Sequence, residues 1–362
     1  MKKKMIIVLA MIVVAVLAFG ACGNNTPAPT PAPEQGGGTP APAPEQGDDF
    51  AATPDVTLIM TNNDPATSLA GQCSEAWAAM VYEKSKGRIK IDITHGGALA
   101  KQTEDFNKVR DGSIDLSWGL ISFYPGQFPI SDGLSLPFLP YKSAAQASEI
   151  LMNIWENTDL LTEEFQDVHL IMLRTNCNAP IVTGKKKLET TADLKGMTIR
   201  ATAAPMVSWL EAFGAGGQGC PIGELFQNLQ QGTFDGALTD WHAINSFALY
   251  EAAQYYADEE VQYNTYYLIL NKGVYERLAP DLQAILDDCS GMAALNVMKD
   301  AWDDMATTAK QTATEQGCDV YKMPDAEHQK LVDAATKVQQ DWIAANGASG
   351  QALYDKIVEL AG

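Results

Sequence analysis

Short apolar runs alternate with stretches of helical spacing downstream of the N-terminal segment. Three runs are typical of buried strands: VTLIMT (56–61), RIKIDI (88–93) and IDLSWGL (114–120). Between the first two, residues 68–86 place apolar side chains at helical intervals, and residues 96–112 predict a loop followed by a short helix. Because strands that alternate with helices favour parallel βαβ units, this pattern predicts an α/β fold.

A second strand–helix alternation is predicted over residues 178–265. Its predicted elements are strands at 181–184, 197–201 and 234–239 and helices at 205–213, 224–231 and 242–256. The run VQYNTYYLILN (261–271) is rich in β-forming residues. It predicts one long strand that leads the chain back to the first unit.

The C-terminal part is predicted to be mostly helical. Helical spacing extends from Pro280 almost to Gln316, broken only at Ser290 and Gly291. A helix of that extent would be about 50 Å long, enough to span two domains. Residues 319–362 predict one strand and two short helices.

The N-terminus has the pattern of a signal peptide. Residues 2–4 are lysines, residues 5–19 form an apolar run too short for a stable spanning helix, and small residues precede Cys22. The sequence LAFGAC resembles a bacterial lipoprotein signal, although Phe19 replaces the usual Leu. It predicts a signal peptide over residues 1–21 and a lipidated Cys22, which would anchor the protein stably if two or more acyl chains are attached. The alternative is ordinary secretion without lipidation.

Residues 22–50 predict a tether between that anchor and the folded part. They repeat a TPAP…PEQG unit with almost no apolar bulk, so they favour extended polyproline geometry and cannot form a core. About 310 residues then remain, which is enough for one large or two medium domains.

The charge balance excludes several classes of partner. The formal net charge is −20, and removal of the leader with its three lysines makes it −23. A chain this acidic is poorly suited to bind nucleic acid or an anionic bilayer. Any anion site must therefore be local, sheltered and built from specific cations.

Signatures of catalysis and of metal binding are missing. The cysteines after Cys22 lack any CxxC spacing, and the sequence does not indicate a disulfide pair; they are Cys73, Cys177, Cys220, Cys289 and Cys318. The four histidines are scattered, without an HExxH motif, and no GxSxG or Walker A motif occurs. Gly214, Gly216 and Gly219 satisfy GxGxxG, but this motif follows a helix rather than a strand. The expectation is therefore no enzyme, no metal and no cofactor.

Arg200 is the cation that stands out. It ends the apolar strand of DLKGMTIR, in a chain with few arginines, and the turn DGALTDW (235–241) is expected on the same face. A guanidinium binds carboxylate in a bidentate manner, which suits the fixing of a planar anion. Pairing with a structural carboxylate is the alternative.

Several motifs in register resemble one family over residues 56–345. They are SKGRIKIDITHGGALAKQTEDFNKVRDGSIDLSWG (85–119), LSLPFL (134–139), ADLKGMTIR (192–200) and ELFQNLQQGTFDG (224–236). The chain resembles the DctP-type solute receptors of tripartite ATP-independent periplasmic (TRAP) transporters. That resemblance implies two α/β domains that close as a clamp over a ligand, with a long helix spanning both. The predicted domains are residues 51–177 plus 266–303 and residues 178–265 plus 304–362.

The resemblance implies that Arg200 clamps the substrate carboxylate. Thr239 stands where the family often carries Asn, and it can still donate one hydrogen bond. A second Arg found in sialic-acid receptors of the family is absent near Pro180, so a single cation predicts a monocarboxylate. An apolar or aromatic ligand body is predicted from Phe123, Tyr124 and Trp241, whereas Leu120 is interpreted as packing. Further polar contacts are predicted at Asn62, Asn63 and Asn178.

The functional prediction is a monomeric, lipid-anchored extracytoplasmic receptor, on the outer face of the membrane or in the periplasm. It would bind a small organic acid and deliver it to the small and large TRAP membrane subunits after hinge closure. A receptor for an ATP-driven importer, a ligand sensor that docks on a signalling receptor, and a cell-surface lipoprotein enzyme are the alternatives. Gene neighbourhood and a test for ligand turnover distinguish them.

Overall fold

The computed structural model describes residues 55–362. The predicted signal peptide, the lipidation at Cys22 and the predicted tether lie outside the described residues. Within them no helix is both long and apolar enough to cross a membrane.

The described chain contains eleven strands and twelve α-helices, which alternate over much of its length. The strands are β1 (Val56–Asn62), β2 (Ile89–Thr94), β3 (Leu116–Leu120), β4 (Val168–Thr175), β5 (Ala179–Thr183), β6 (Thr198–Arg200), β7 (Gly216–Gln218), β8 (Gly236–Leu238), β9 (Tyr255–Gln262), β10 (Thr265–Asn271) and β11 (Asp319–Tyr321). The α-helices are α1 (Leu69–Lys84), α2 (Asp105–Arg110), α3 (Ala144–Asn157), α4 (Thr162–Phe165), α5 (Ala204–Glu211), α6 (Ile222–Gln231), α7 (Trp241–Ser246), α8 (Lys272–Arg277), α9 (Pro280–Asp288), α10 (Met292–Asn296), α11 (Ala301–Glu315) and α12 (Asp325–Ala361).

The first sheet has the strand order β2-β1-β3-β10-β4. Strand β1 pairs in parallel with both β2 and β3, and β10 runs antiparallel between β3 and β4. Parallel neighbours require a crossover connection, which α1 and α2 provide. The three strands predicted from the apolar runs are thus confirmed, within two residues at their ends.

The second sheet has the order β11-β9-β5-β8-β6-β7. Strand β6 pairs in parallel with β7 and β8, while β5 is antiparallel to β8 and β9. The chain passes from the first sheet to the second between β4 and β5, and it returns between β9 and β10. Two sheets in one α/β fold confirm the predicted fold class.

The single strand predicted over residues 261–271 is wrong. The chain leaves β9 at Gln262 and enters β10 at Thr265, and these two strands belong to different sheets. Both strands are buried, so their apolar residues read as one continuous run. The helix predicted over residues 242–256 is also too long, because α7 ends at Ser246 and β9 already begins at Tyr255.

The long helix lies elsewhere than predicted. Residues 280–316 form three helices rather than one, and Gly291 adopts φ 60°, ψ −136° between the first two. Segment α12 consists of two helices that meet at Gly347, whose backbone angles are not helical. The two C-terminal helices predicted from the sequence are thus confirmed, although the first of them is long rather than short. The indole N–H of Trp209, on α5, donates to the Leu331 carbonyl of α12 at 3.0 Å. From α12, the Gln339 side chain donates to the Pro137 carbonyl at 2.7 Å. Helix α12 therefore contacts parts of the chain that belong to both sheets.

Aromatic side chains fill the core on both sides of the sheets. The largest fully buried ones include Trp77, Trp118, Trp209, Trp241 and Trp302. The cysteines of the described region are buried and free, at positions 73, 177, 220, 289 and 318.

Candidate functional site

An enclosed cavity lies between the two sheets, at the carboxyl ends of several strands. Asp64 enters it from the loop after β1, Arg200 from the end of β6, and Thr239 from the turn after β8. Asn264, in the short connection from β9 to β10, also lines it. In open α/β sheets this edge is the usual place for a ligand. The cavity volume is about 20 Å³, room for a single water molecule.

Arg200 is a buried cation without a counter-ion. Its side chain is 4% exposed, and among the described residues no carboxylate oxygen lies within 4.0 Å of it. The Nε atom donates to the Cys220 carbonyl at 3.0 Å, and Nη1 donates to the Leu238 carbonyl at 3.5 Å. These two bonds hold the guanidinium in place, and the charge of Asp240 acts on it without forming a direct ion pair. A buried charge of this kind is costly unless an anion pairs with it.

The sheet register brings Thr239 beside Arg200. Strand β6 pairs with β8 through Ile199 with Gly236 and Arg200 with Ala237, so the chain after β8 runs past the guanidinium. Gly236 is required here, because a Cβ atom at this position would lie 2.2 Å from the Val182 carbonyl oxygen. The two glycine-containing motifs singled out in the sequence therefore meet in one site.

Two carboxylates line the same cavity. Asp240 begins α7 and accepts the Ala243 backbone N–H at 3.0 Å and the Asn176 amide at 3.3 Å. Burial raises its pKa, although these hydrogen bonds oppose the rise. Burial also raises the pKa of Asp64 to about 7, and the charge of Arg174 offsets part of that effect.

His242 lines the cavity as a neutral imidazole. Burial, reinforced by the charge of Arg174, lowers its pKa to about 3. Its Nε2 atom accepts the backbone N–H of Ala70 at 3.4 Å, so the remaining proton lies on Nδ1, 3.9 Å from Asp240. His242 therefore adds no positive charge that could hold an anion.

Three hydrogen bonds close the cavity between loops of the two sheets. The first is the bond from Ala70, on α1, to His242. The backbone N–H of Ile222, at the start of α6, donates to the Gln102 amide oxygen at 3.0 Å. Beside the cavity, the Ser122 hydroxyl, which follows β3, donates to the Thr202 hydroxyl, which follows β6, at 2.8 Å. A ligand larger than a water molecule can enter only when contacts of this kind separate.

Of the eight side chains predicted to bind the ligand, the structure brings Arg200 and Thr239 to the cavity. Trp241 is fully buried instead; its indole N–H donates to Asp258 at 3.1 Å and its ring stacks on Tyr256. Helix α7 begins at Trp241, so successive residues diverge by about 100°, and Asp240 and His242 face the cavity while the indole points into the core.

The other two predicted aromatic residues also lie outside the cavity. The Tyr124 hydroxyl donates to the buried Asp105 and accepts the Phe106 N–H at 2.8 Å, within an aromatic core. Phe123 borders a separate surface groove of about 480 Å³, which Thr202 also lines. Leu120, interpreted from the sequence as packing, does line the cavity.

The three asparagines have supporting positions. Asn62 donates to the Ser74 hydroxyl at 3.1 Å and accepts the Asp64 backbone N–H at 2.9 Å, so it orients the loop that carries Asp64. Asn63 donates to Asp105 at 3.2 Å. The Asn178 side-chain oxygen is buried without a hydrogen-bond partner and does not line the cavity.

The sequence prediction missed most of the polar lining. Asp64, Gln102, Asp240, His242, Asn264 and Tyr266 all border the cavity. Two of these residues could have been predicted from their position after a strand, since Asp64 follows the end of β1 and Asp240 lies in the turn after β8. Behind Tyr266, the buried Arg174 packs among the rings of Trp118, Tyr266 and Trp302, 4.1–4.7 Å from their centroids.

No group of three or more His, Cys, Asp or Glu side chains within residues 55–362 is arranged to hold a metal ion.

Residues 60–346 match the family described as bacterial extracellular solute-binding protein, family 7, also called DctP. The chain belongs to this family. The match covers both sheets except the first four residues of β1, and it includes every residue named above as lining the cavity. A solute-binding protein from Chromohalobacter salexigens is 24% identical over 314 residues, which are 82% of this chain and 83% of that relative.

Solved structures of TRAP solute-binding proteins share the fold. A marine metagenome protein specific for aromatic acids, in complex with 3-hydroxybenzoate, has a TM-score of 0.79 and 24% identity, covering 85% of this chain and 98% of that one. A protein from Rhodoferax ferrireducens, in complex with copurified benzoate, has a TM-score of 0.79 and 25% identity, covering 84% and 97%. The two-sheet α/β architecture is therefore that of the TRAP periplasmic solute-binding proteins.

Proposed function

We propose that this protein binds an organic acid in the cavity between its sheets and delivers it to a TRAP membrane permease. The observation that carries the proposal is the buried, unpaired guanidinium of Arg200 at the edge of the sheet where ligands bind. A carboxylate would compensate that charge through charge-assisted, bidentate hydrogen bonds. Thr239, beside Arg200, would donate one further bond.

The ligand is proposed to be a monocarboxylate with an apolar or aromatic body. Among the described residues, Arg200 is the single Lys or Arg that lines the cavity, so a second carboxylate would have no cation to pair with. Leu120, Ile222 and Tyr266 supply apolar and aromatic surface, in place of the aromatic residues expected from the sequence. The benzoate and 3-hydroxybenzoate of two structural relatives support an acid of this class.

Binding is proposed to involve opening and closing of two domains, residues 51–177 plus 266–303 and residues 178–265 plus 304–362. A cavity of about 20 Å³ does not admit benzoate, so the three bonds across it must separate and form again around the ligand. A ligand shifts this equilibrium only by its greater affinity for the closed form. Lipidation of Cys22, followed by the tether, would keep the receptor at the membrane beside its permease.

The test is a calorimetric screen in which each carboxylate is paired with its neutral amide. Benzoate, 3-hydroxybenzoate and phenylacetate should include at least one ligand, while benzamide, 3-hydroxybenzamide and phenylacetamide should not bind. The bound acid should be recovered unchanged, since the protein is proposed to be a receptor and not an enzyme. Equal binding of an acid and its amide, or turnover of the acid, would contradict the proposal.

A further inference from the structure

The cavity is lined by groups of opposite charge that form no direct ion pair with each other. Arg200 and Asp64 both line it, at 4% and 8% exposure, yet no ion pair joins them within 4.0 Å. Asp240 also lines the cavity, but its carboxylate already accepts hydrogen bonds from Ala243 and Asn176. Asp64 is thus the carboxylate of the lining that accepts no hydrogen bond from the described residues, although the nearby charge of Arg174 acts on it.

The carboxylate of Asp64 has no hydrogen-bond donor among the described residues. Its backbone N–H donates to the Asn62 side chain at 2.9 Å, and its carbonyl accepts the Gly96 N–H at 3.1 Å, so the main chain is fixed while the carboxylate faces the cavity. Burial accordingly raises its pKa to about 7. A buried acceptor without a donor costs free energy that a ligand could recover.

We propose that the ligand is an acid that also carries a protonated, hydrogen-bond-donating nitrogen, with Arg200 holding its carboxylate and Asp64 accepting from the nitrogen. This inference rests on the proposed function and specifies the class of its ligand. Asn264 also lines the cavity, and its buried side-chain oxygen has no hydrogen-bond partner among the described residues. This oxygen offers the ligand a second polar contact.

Hydrogen bonding in the cavity favours such a zwitterion over a simple acid. A plain carboxylate can pair with Arg200 but leaves the Asp64 carboxylate without a donor. A zwitterion adds no net charge and supplies the donor that Asp64 lacks. It also suits a chain whose formal net charge of −20 repels anions at long range.

The experiment compares acids that share a skeleton and differ in one group. Suitable triads are 3-(aminomethyl)benzoate, 3-(hydroxymethyl)benzoate and 3-methylbenzoate; phenylalanine, phenyllactate and 3-phenylpropanoate; and 4-aminobutanoate, 4-hydroxybutanoate and butanoate. Calorimetry at pH 7.5 should show at least one ammonium-bearing member binding about 10- to 100-fold more tightly than its two partners, as expected for a charge-assisted hydrogen bond.

Asp64→Asn keeps the shape of the side chain and removes its charge. In this variant the advantage of the ammonium-bearing acid should fall to within about threefold, while the plain acids bind at least as well as before. A thermal melt that matches the wild type within a few degrees shows that the variant is folded, and Asp64→Glu should retain part of the advantage.

The possible outcomes distinguish a failure of this inference from a failure of the proposed function. If plain or hydroxylated acids bind more tightly than every ammonium-bearing partner, or if the advantage survives in Asp64→Asn, the inference is wrong and the carboxylate receptor stands. If no acid of either kind binds, the proposed function fails as well. Benzylamine, which has the nitrogen without the carboxylate, should not bind in any of these cases.

Discussion

Closure of the cavity can be tested at Gln102, whose amide oxygen accepts the Ile222 N–H at 3.0 Å. Ile222 is the first residue of α6, so this N–H has no partner within its own helix. Gln102→Ala removes the acceptor and leaves the buried donor unpaired in the closed form, whereas water can satisfy that donor when the cavity is open.

The magnitude follows from the cost of one unpaired buried donor, about 1–3 kcal/mol. The bound complex contains the closed cavity, so the whole cost falls on binding when the free protein is open. The affinity for a carboxylate should then fall by a factor of roughly 5–150. If the free protein is itself closed, the same cost appears as a lower free energy of unfolding, which a urea titration of the unliganded variant measures.

Calorimetry measures the affinity, and small-angle scattering of the free and saturated protein measures the compaction. Gln311→Ala is a matched control, since Gln311 lies exposed on α11 and bonds only to Glu315 on the same helix. An unchanged affinity, an unchanged compaction and an unchanged free energy of unfolding in Gln102→Ala would together refute the idea that this bond stabilises the closed form.

Two further predictions concern stability. Gly236→Ala should lower the free energy of unfolding by about 1–3 kcal/mol in a urea titration, because its Cβ would lie 2.2 Å from the Val182 carbonyl oxygen; a loss below 0.5 kcal/mol would mean that β8 moves without cost. Asp64 has a folded-state pKa of about 7, above its unfolded value of 3.8, so its contribution is present below pH 4 and is lost as the pH rises through 7. Relative to Asp64→Asn, the wild type should therefore lose stability between pH 4 and pH 8, by about 4 kcal/mol as an order of magnitude; parallel pH profiles of the two proteins would contradict this.

The local pattern of the sequence predicts much of the fold. Strands β1, β2 and β3 are recognisable because each is a short apolar run bounded by polar residues. The pattern fails where two buried elements follow each other closely. Strands β9 and β10 read as one strand although they lie in different sheets. The helical run over residues 280–316 is divided at Gly291, where the sequence indicated an interruption, and again between α10 and α11, where it did not.

The site is predictable only in part, for a related reason. Arg200 ends β6 and Thr239 directly follows β8, two strands that pair with each other, and the motifs that carry these residues are local. The rest of the lining depends on long-range topology: Ala70 and His242 are 172 positions apart, and Gln102 and Ile222 are 120 apart. The sequence also does not show on which side of a short helix a side chain points, which is why Trp241 was expected in the site and lies in the core.

The most direct test of the account is the binding of the tightest carboxylate from the screen to Arg200→Met and to the control Arg110→Met. Arg110 lies outside the cavity, on the exposed end of α2 beside Asp111. Truncating one partner of a buried charge pair costs about 2–5 kcal/mol, so Arg200→Met should bind roughly 30- to 5000-fold more weakly, while the control keeps its affinity. A folded Arg200→Met protein whose affinity stays within about threefold of the wild type would contradict the claim that this guanidinium holds the acid.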